Sequence, residues 1–229
     1  MTGSADRPWS GGGREELADA VRRLMALTVT AAAPPEVLAD AAHRAGALAG
    51  ELEGHVPVAD AVPVARFADR SVTPEEATTL AAAMPFDVVI GSCNPVALPV
   101  EVSFEPPLAV GRASFTAPYE GAPGCVHGAV IAGAFDILLT AANVMAGAAG
   151  PTVSLSIRYL QPTLIDQPVR FEARVTERTH RRTHSRGTLL QGEVVTAEAV
   201  GEFAVLERSR IEAMHRRGAG ARAGGPDIL

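Results

Sequence analysis

Two hydrophobic periods divide the chain. From Arg14 to about Thr30, Leu17, Val21, Leu24 and Leu27 recur at spacings of three and four, which places them on one face of a helix. After Pro34-Pro35, Leu38, Ala41, Ala42, Ala45, Leu48 and Leu52 mark a second helical face, closed near Gly54. Residues 55–72 carry several Pro and Ala and are expected to form a connector. At Thr73-Pro74-Glu75-Glu76 a capping box with proline at the first helical position predicts a short helix, ended by Met84-Pro85.

Beyond Pro85 the period changes to two. Val100, Val102 and Phe104 alternate with Glu101, Ser103 and Glu105, and Ala113 and Phe115 alternate with Arg112, Ser114 and Thr116. A helix apolar on nearly every face follows over 128–146. Val153, Leu155, Ile157 and Tyr159 then alternate with polar residues, as do Val169, Phe171, Ala173 and Val175, and two further strands are predicted over 187–196 and 198–206. Consecutive strands joined by short turns pair antiparallel, so the class is α+β. A helix with so little polar surface must be surrounded, and the sheet is expected to curl around it. The expected organisation is an N-terminal helical extension and connector over 1–85, the sheet-and-helix domain over 86–207, and a flexible tail over 208–229. A length of 229 residues suits one domain with a sizeable extension.

Composition narrows the chemistry. Hydrophobic residues make up 47% and charged residues 20%, enough apolar content for a packed core and too much for a wholly disordered chain. A net charge of −6 argues against a general nucleic-acid binder. All 20 basic residues are Arg, which excludes lysine Schiff bases, lysine general bases and a P-loop. The two cysteines, Cys93 and Cys125, match no metal-binding spacing. Val126 to Ala149 is long enough to span a bilayer, but Asp136 near its centre, with His127, Thr140 and Asn143, favours a buried helix and no membrane span. The N-terminus lacks an apolar signal core, so a cytoplasmic location is expected.

The most informative stretch runs from Tyr119 through Cys125-Val-His127-Gly128-Ala129 to Asp136. It resembles the hotdog-fold thioesterases of the PaaI-like group, in which His-Gly-Gly opens the central helix and an Asp follows nine residues after the His. In acyl-CoA thioesterases of this group a Thr or Ser heading the next strand completes the site. Here that position is Thr152, sixteen after Asp136, with Ser154 on the same strand face as the alternative. The resemblance covers roughly residues 87–206 and implies an antiparallel sheet wrapped around a long central helix. It also implies an acyl-CoA substrate, water as second reactant with no metal or redox cofactor, and a homodimer or dimer of dimers. There are two departures. Ala129, placed at the substrate, replaces the second glycine, and Gly121 stands where a polar residue is often found six before the His.

The chemistry fits thioester hydrolysis on its own terms. Gly128, at a helix N-terminus, offers an unpaired N–H to a developing oxyanion, with the helix dipole behind it. Asp136 in an apolar helix is costly unless paired or used, and as a carboxylate it can activate water or attack directly. Thr152 can hold that water or bond the carboxylate, and His127 can shape the helix start or act as a base. Gly128 and Asp136 are eight residues apart, roughly 12 Å along a helix axis, so one chain does not easily present both to one carbonyl. Two antiparallel helices related by a two-fold can. The basic stretch containing Arg178, Arg181 and Arg182 falls at an expected hairpin and could grip coenzyme A phosphates. Two other classes stay open: a non-catalytic acyl-CoA-binding or assembly protein of the same fold, and a hotdog hydratase or dehydratase.

Overall fold

A computed structural model describes residues 13–56, 80–148 and 150–205, and the change of period at Pro85 is a change of architecture. Helices come first: α1 (Arg14–Thr30), α2 (Pro35–Glu53) and α3 (Leu80–Ala83). Strands β1 (Val100–Glu105) and β2 (Leu108–Ser114) lead through a 3-10 turn (Ala117–Tyr119) into α4 (Gly128–Met145). Strands β3 (Thr152–Tyr159), β4 (Pro168–Arg178), β5 (Arg182–Gln191) and β6 (Val194–Ala204) complete the domain. The capping box at Thr73, most of the connector and the tail from 208 lie outside the described residues.

All six strands form one antiparallel sheet in the order β1-β2-β4-β5-β6-β3. Two expectations are corrected. Strand β3 does not pair with its neighbour in sequence. It closes against β6, while β4 returns to the middle beside β2. The 160–167 segment carries the chain across, held by Leu160 N–H donating to Thr196 O and by Gln191 bonding both backbone groups of Leu164. Second, the break between the last two strands falls at Gly192-Glu193, not near Thr196. Gly192, at φ 62°, forms the two-residue turn, with Gln191 and Val194 facing across it.

Helix α4 lies close against the sheet because the inward positions of three strands are glycine. A Cβ at Gly111 would meet the Leu138 side chain at 3.1 Å, one at Gly187 the Phe135 ring at 3.0 Å, and one at Gly201 Leu139 at 2.9 Å. Phe135 makes an edge-to-face contact with Phe171 of β4, their centroids 5.2 Å apart. Ten residues of α4 are buried. The helix passes the length and hydropathy test for a membrane span, but it is the core of this domain. It is not surrounded, however. Ala129, Ala132, Gly133, Asp136 and Thr140, which lie along one side of the helix, are only partly covered.

Among the described residues the extension is anchored by α1 and by Leu80 and Met84, which are buried in the core. The Arg22 guanidinium donates to the carbonyls of Gly91, Ser92 and Asn94 at 3.2, 2.7 and 2.9 Å, and Ser92 donates to Glu15. Across the sheet's outer face Glu105 of β1 bridges Arg112 of β2 and Arg170 of β4 at 2.6 and 2.8 Å. Hydrogen bonds from Arg170, then Arg112, hold the Glu105 carboxyl at about 2, below its usual 4.5. A lowered carboxyl pKa stabilises the fold above pH 4.5, and that contribution is lost as pH falls toward 2. Thermal unfolding of Glu105→Gln is therefore expected to fall less steeply with acid over this range than wild type. Superimposable acid limbs would show that the bridge does not stabilise the sheet.

Candidate active site

The chain enters α4 through a loop that closes on itself. Glu120 and Val126 form an isolated bridge, and Gly121 N–H donates to Cys125 O at 2.9 Å. A Cβ at Gly121 would sit 2.9 Å from the Cα of His127, so a larger residue does not fit without moving backbone. The missing polar residue at this position thus has a packing cause. The His127 N–H donates to Tyr119 O at 2.8 Å, and its Nδ1 accepts from Ala129 N–H at 3.0 Å, making His127 the N-cap of α4. Of the two roles open in the sequence, this geometry displays helix shaping. Capping uses the Ala129 amide, and no acceptor for Gly128 N–H is found among the described residues.

Eight residues on, Asp136 lies half-buried on the uncovered stripe. Thr152, the first residue of β3, donates its hydroxyl to Asp136 Oδ1 at 2.7 Å. That bond fixes which carboxyl oxygen remains free. Ser154, the alternative, makes no side-chain bond to Asp136. The far end of β3 reaches the start of the same helix: Tyr159 donates its hydroxyl to Gly128 O at 2.8 Å, and a Cβ at Gly128 would lie 3.1 Å from that hydroxyl. Tyr159 was not legible as a site residue, because alternation along β3 specifies only its face.

The chain does not bring its two halves together. Gly128, His127, Ala129 and Tyr159 stand at one end of α4, and Asp136 with Thr152 stands roughly 12 Å along it. The arginines occupy the β4–β5 hairpin at the other end, where Arg178 donates to Ala146 O at 2.9 Å. Arg182 pairs with Glu202 at 2.6 Å. Arg181 is held through its backbone by Thr179 and Val205, and its guanidinium has no acidic partner among the described residues.

The thioesterase superfamily model matches residues 123–198, a segment that contains Gly128, Asp136 and Thr152. The structure also superposes on that of protein RHA08564, a thioesterase superfamily protein, at a TM-score of 0.70 and 28% identity. The domain has the hotdog fold. The match to RHA08564 covers 84% of this chain and 95% of that one, more than residues 86–229 alone supply, so it extends into the helical extension. Zebra fish thioesterase superfamily member 2 shares the hotdog fold at a TM-score of 0.50 and 19% identity, covering 58% of this chain and 99% of its own. No curated protein matches the sequence.

Within this hotdog domain the cap at His127 is directly testable. Replacing it by Ala is expected to lower the free energy of unfolding by about 1 kcal/mol, and His127→Asn, which can cap, is expected to recover most of the loss. Denaturant titration decides it. Equal stability of the Ala and Asn variants would mean that the imidazole does not hold the helix start.

Proposed function

We propose that the protein is an acyl-CoA thioesterase, splitting a thioester with water into a carboxylic acid and coenzyme A. The observation that carries this reading is the Asp136 carboxylate, held by the Thr152 hydroxyl on the uncovered stripe of α4, inside the segment matched by the thioesterase superfamily. The thioester carbonyl oxygen accepts from Gly128 N–H at the helix N-terminus, where the dipole meets the charge that develops on attack. Asp136 either takes a proton from the attacking water or attacks the carbonyl itself. The C–S bond then breaks and the coenzyme leaves as its thiol, taking the proton from Asp136 in the first case and from water in the second. In the second case water also hydrolyses the acyl-aspartate to free acid and restored carboxylate. No metal or redox group is required by these steps.

The site needs two copies of the chain. An antiparallel pair of α4 helices sets Gly128 of one beside Asp136 of the other. The outer edge of β3 supports this pairing: it is the sheet's last strand, and Val153 and Tyr159 are 49% and 54% exposed. Of the three hairpin arginines, Arg181 has its guanidinium available for a coenzyme phosphate.

A screen for thiol release across acyl-CoA chain lengths tests the reading. Asp136→Asn is expected to lower kcat by about 10²–10⁴-fold, since an amide cannot take the proton. It should still fold, because its carbonyl can accept the Thr152 bond. Thr152→Ala is expected to cost less, as water can replace the hydroxyl. Absence of thiol release from every acyl-CoA, or near-normal kcat in a folded Asp136→Asn protein, would overturn the proposal.

A further inference from the structure

Helix α2 has no buried residue in its own chain. Among the described residues it has no extensive packing against α1 or any strand. Leu38, Leu48 and Leu52 are 47%, 47% and 43% exposed. Gly46 and Gly50 interrupt its interior with nothing near their Cβ positions, and each weakens the helix relative to Ala. A helix of this composition is marginal in water without a packed face.

The residues on its bare face specify the cover. Leu38, Ala41, Ala45, Leu48 and Leu52 recur at three, four, three and four, the seam of a coiled coil. We propose that α2 pairs antiparallel with α2 of a second copy of this chain. The two-fold register that sets Ala41 against Leu52 and Ala45 against Leu48 puts a small residue opposite a large one in all four layers. On one flank Ala42 meets Ala49, allowing close approach. On the other Arg44 meets Glu51 of the second copy, twice by symmetry. Arg44 is bonded to Asp40 of its own helix at 2.9 Å, which keeps it on this flank, and Glu51 has no cationic partner among the described residues. Sliding the register by one heptad opposes Arg44 to Arg44. A parallel pair stacks Ala on Ala and leaves Glu51 unmatched. The pattern is complementary to itself, which favours a second copy over an unrelated partner.

Disulfide trapping in the full-length protein tests this. With Cys93 and Cys125 replaced by Ser, the double variant Ala41→Cys, Leu52→Cys places thiols eleven residues apart, about 16 Å within one helix and far beyond disulfide reach. Mild oxidation is expected to convert most of the protein to a covalent dimer. Either single variant should stay uncrosslinked, since identical positions on the two copies also lie about 16 Å apart. Adding Glu51→Arg is expected to cut the yield several-fold, and Arg44→Glu in the same chain to restore it. No covalent dimer from the double variant, equal crosslinking by the single variants, or a yield indifferent to Glu51→Arg would each overturn the proposal.

Discussion

Eight residues of α-helix separate Gly128 from Asp136, and the roughly 12 Å between them is the constraint around which the molecule is arranged. An oxyanion donor belongs at a helix N-terminus, where amides are unpaired, whereas a carboxylate needs a partner to stand in an apolar helix. In the proposed site both stand on one helix, and the geometry keeps them from meeting on one substrate carbonyl. A second chain running the other way removes the conflict. The stripe of Ala129, Ala132, Gly133, Asp136 and Thr140, small and partly open, is the surface such a chain requires.

Strand β3 links the two halves within one copy. It is fixed to α4 at both ends, by Thr152 on Asp136 and by Tyr159 on Gly128, while its outer edge is unpaired in the sheet. The same strand thus holds the Asp136 carboxyl, bounds the start of α4 and leaves an edge unpaired in the sheet. The glycines at 111, 187 and 201 let α4 sit deep enough against the sheet for that strand to reach it.

Much of this was legible in the sequence, and the failures have physical causes. The bounds of α1, α2, α4, β1 and β3 follow from clean periods bounded by Pro or Gly. The β5–β6 turn did not, because inward residues are odd-numbered on both strands (Ser185, Gly187, Leu189, then Ala197, Ala199, Phe203), so the alternation runs through Gly192 without a break. The pairing of β3 with β6 is long-range and leaves no local mark. Asp136 and Thr152 were found as a spacing and are joined by a hydrogen bond. The packing reason for Gly121 and the contact of Tyr159 with Gly128 depend on loop closure and strand curvature, which one-dimensional patterns do not encode.

The claim that one active site is built from two chains is tested most directly by complementation. Gly128→Val and Asp136→Asn proteins, each inactive alone, are unfolded together, refolded at equal concentration and assayed for thiol release. A random mixture makes half its dimers hybrid, and each hybrid holds one intact site, so the account predicts recovery to about a quarter of wild-type activity. A refolded, dimeric mixture with no activity above that of the separate variants would place the whole site in one chain and contradict it.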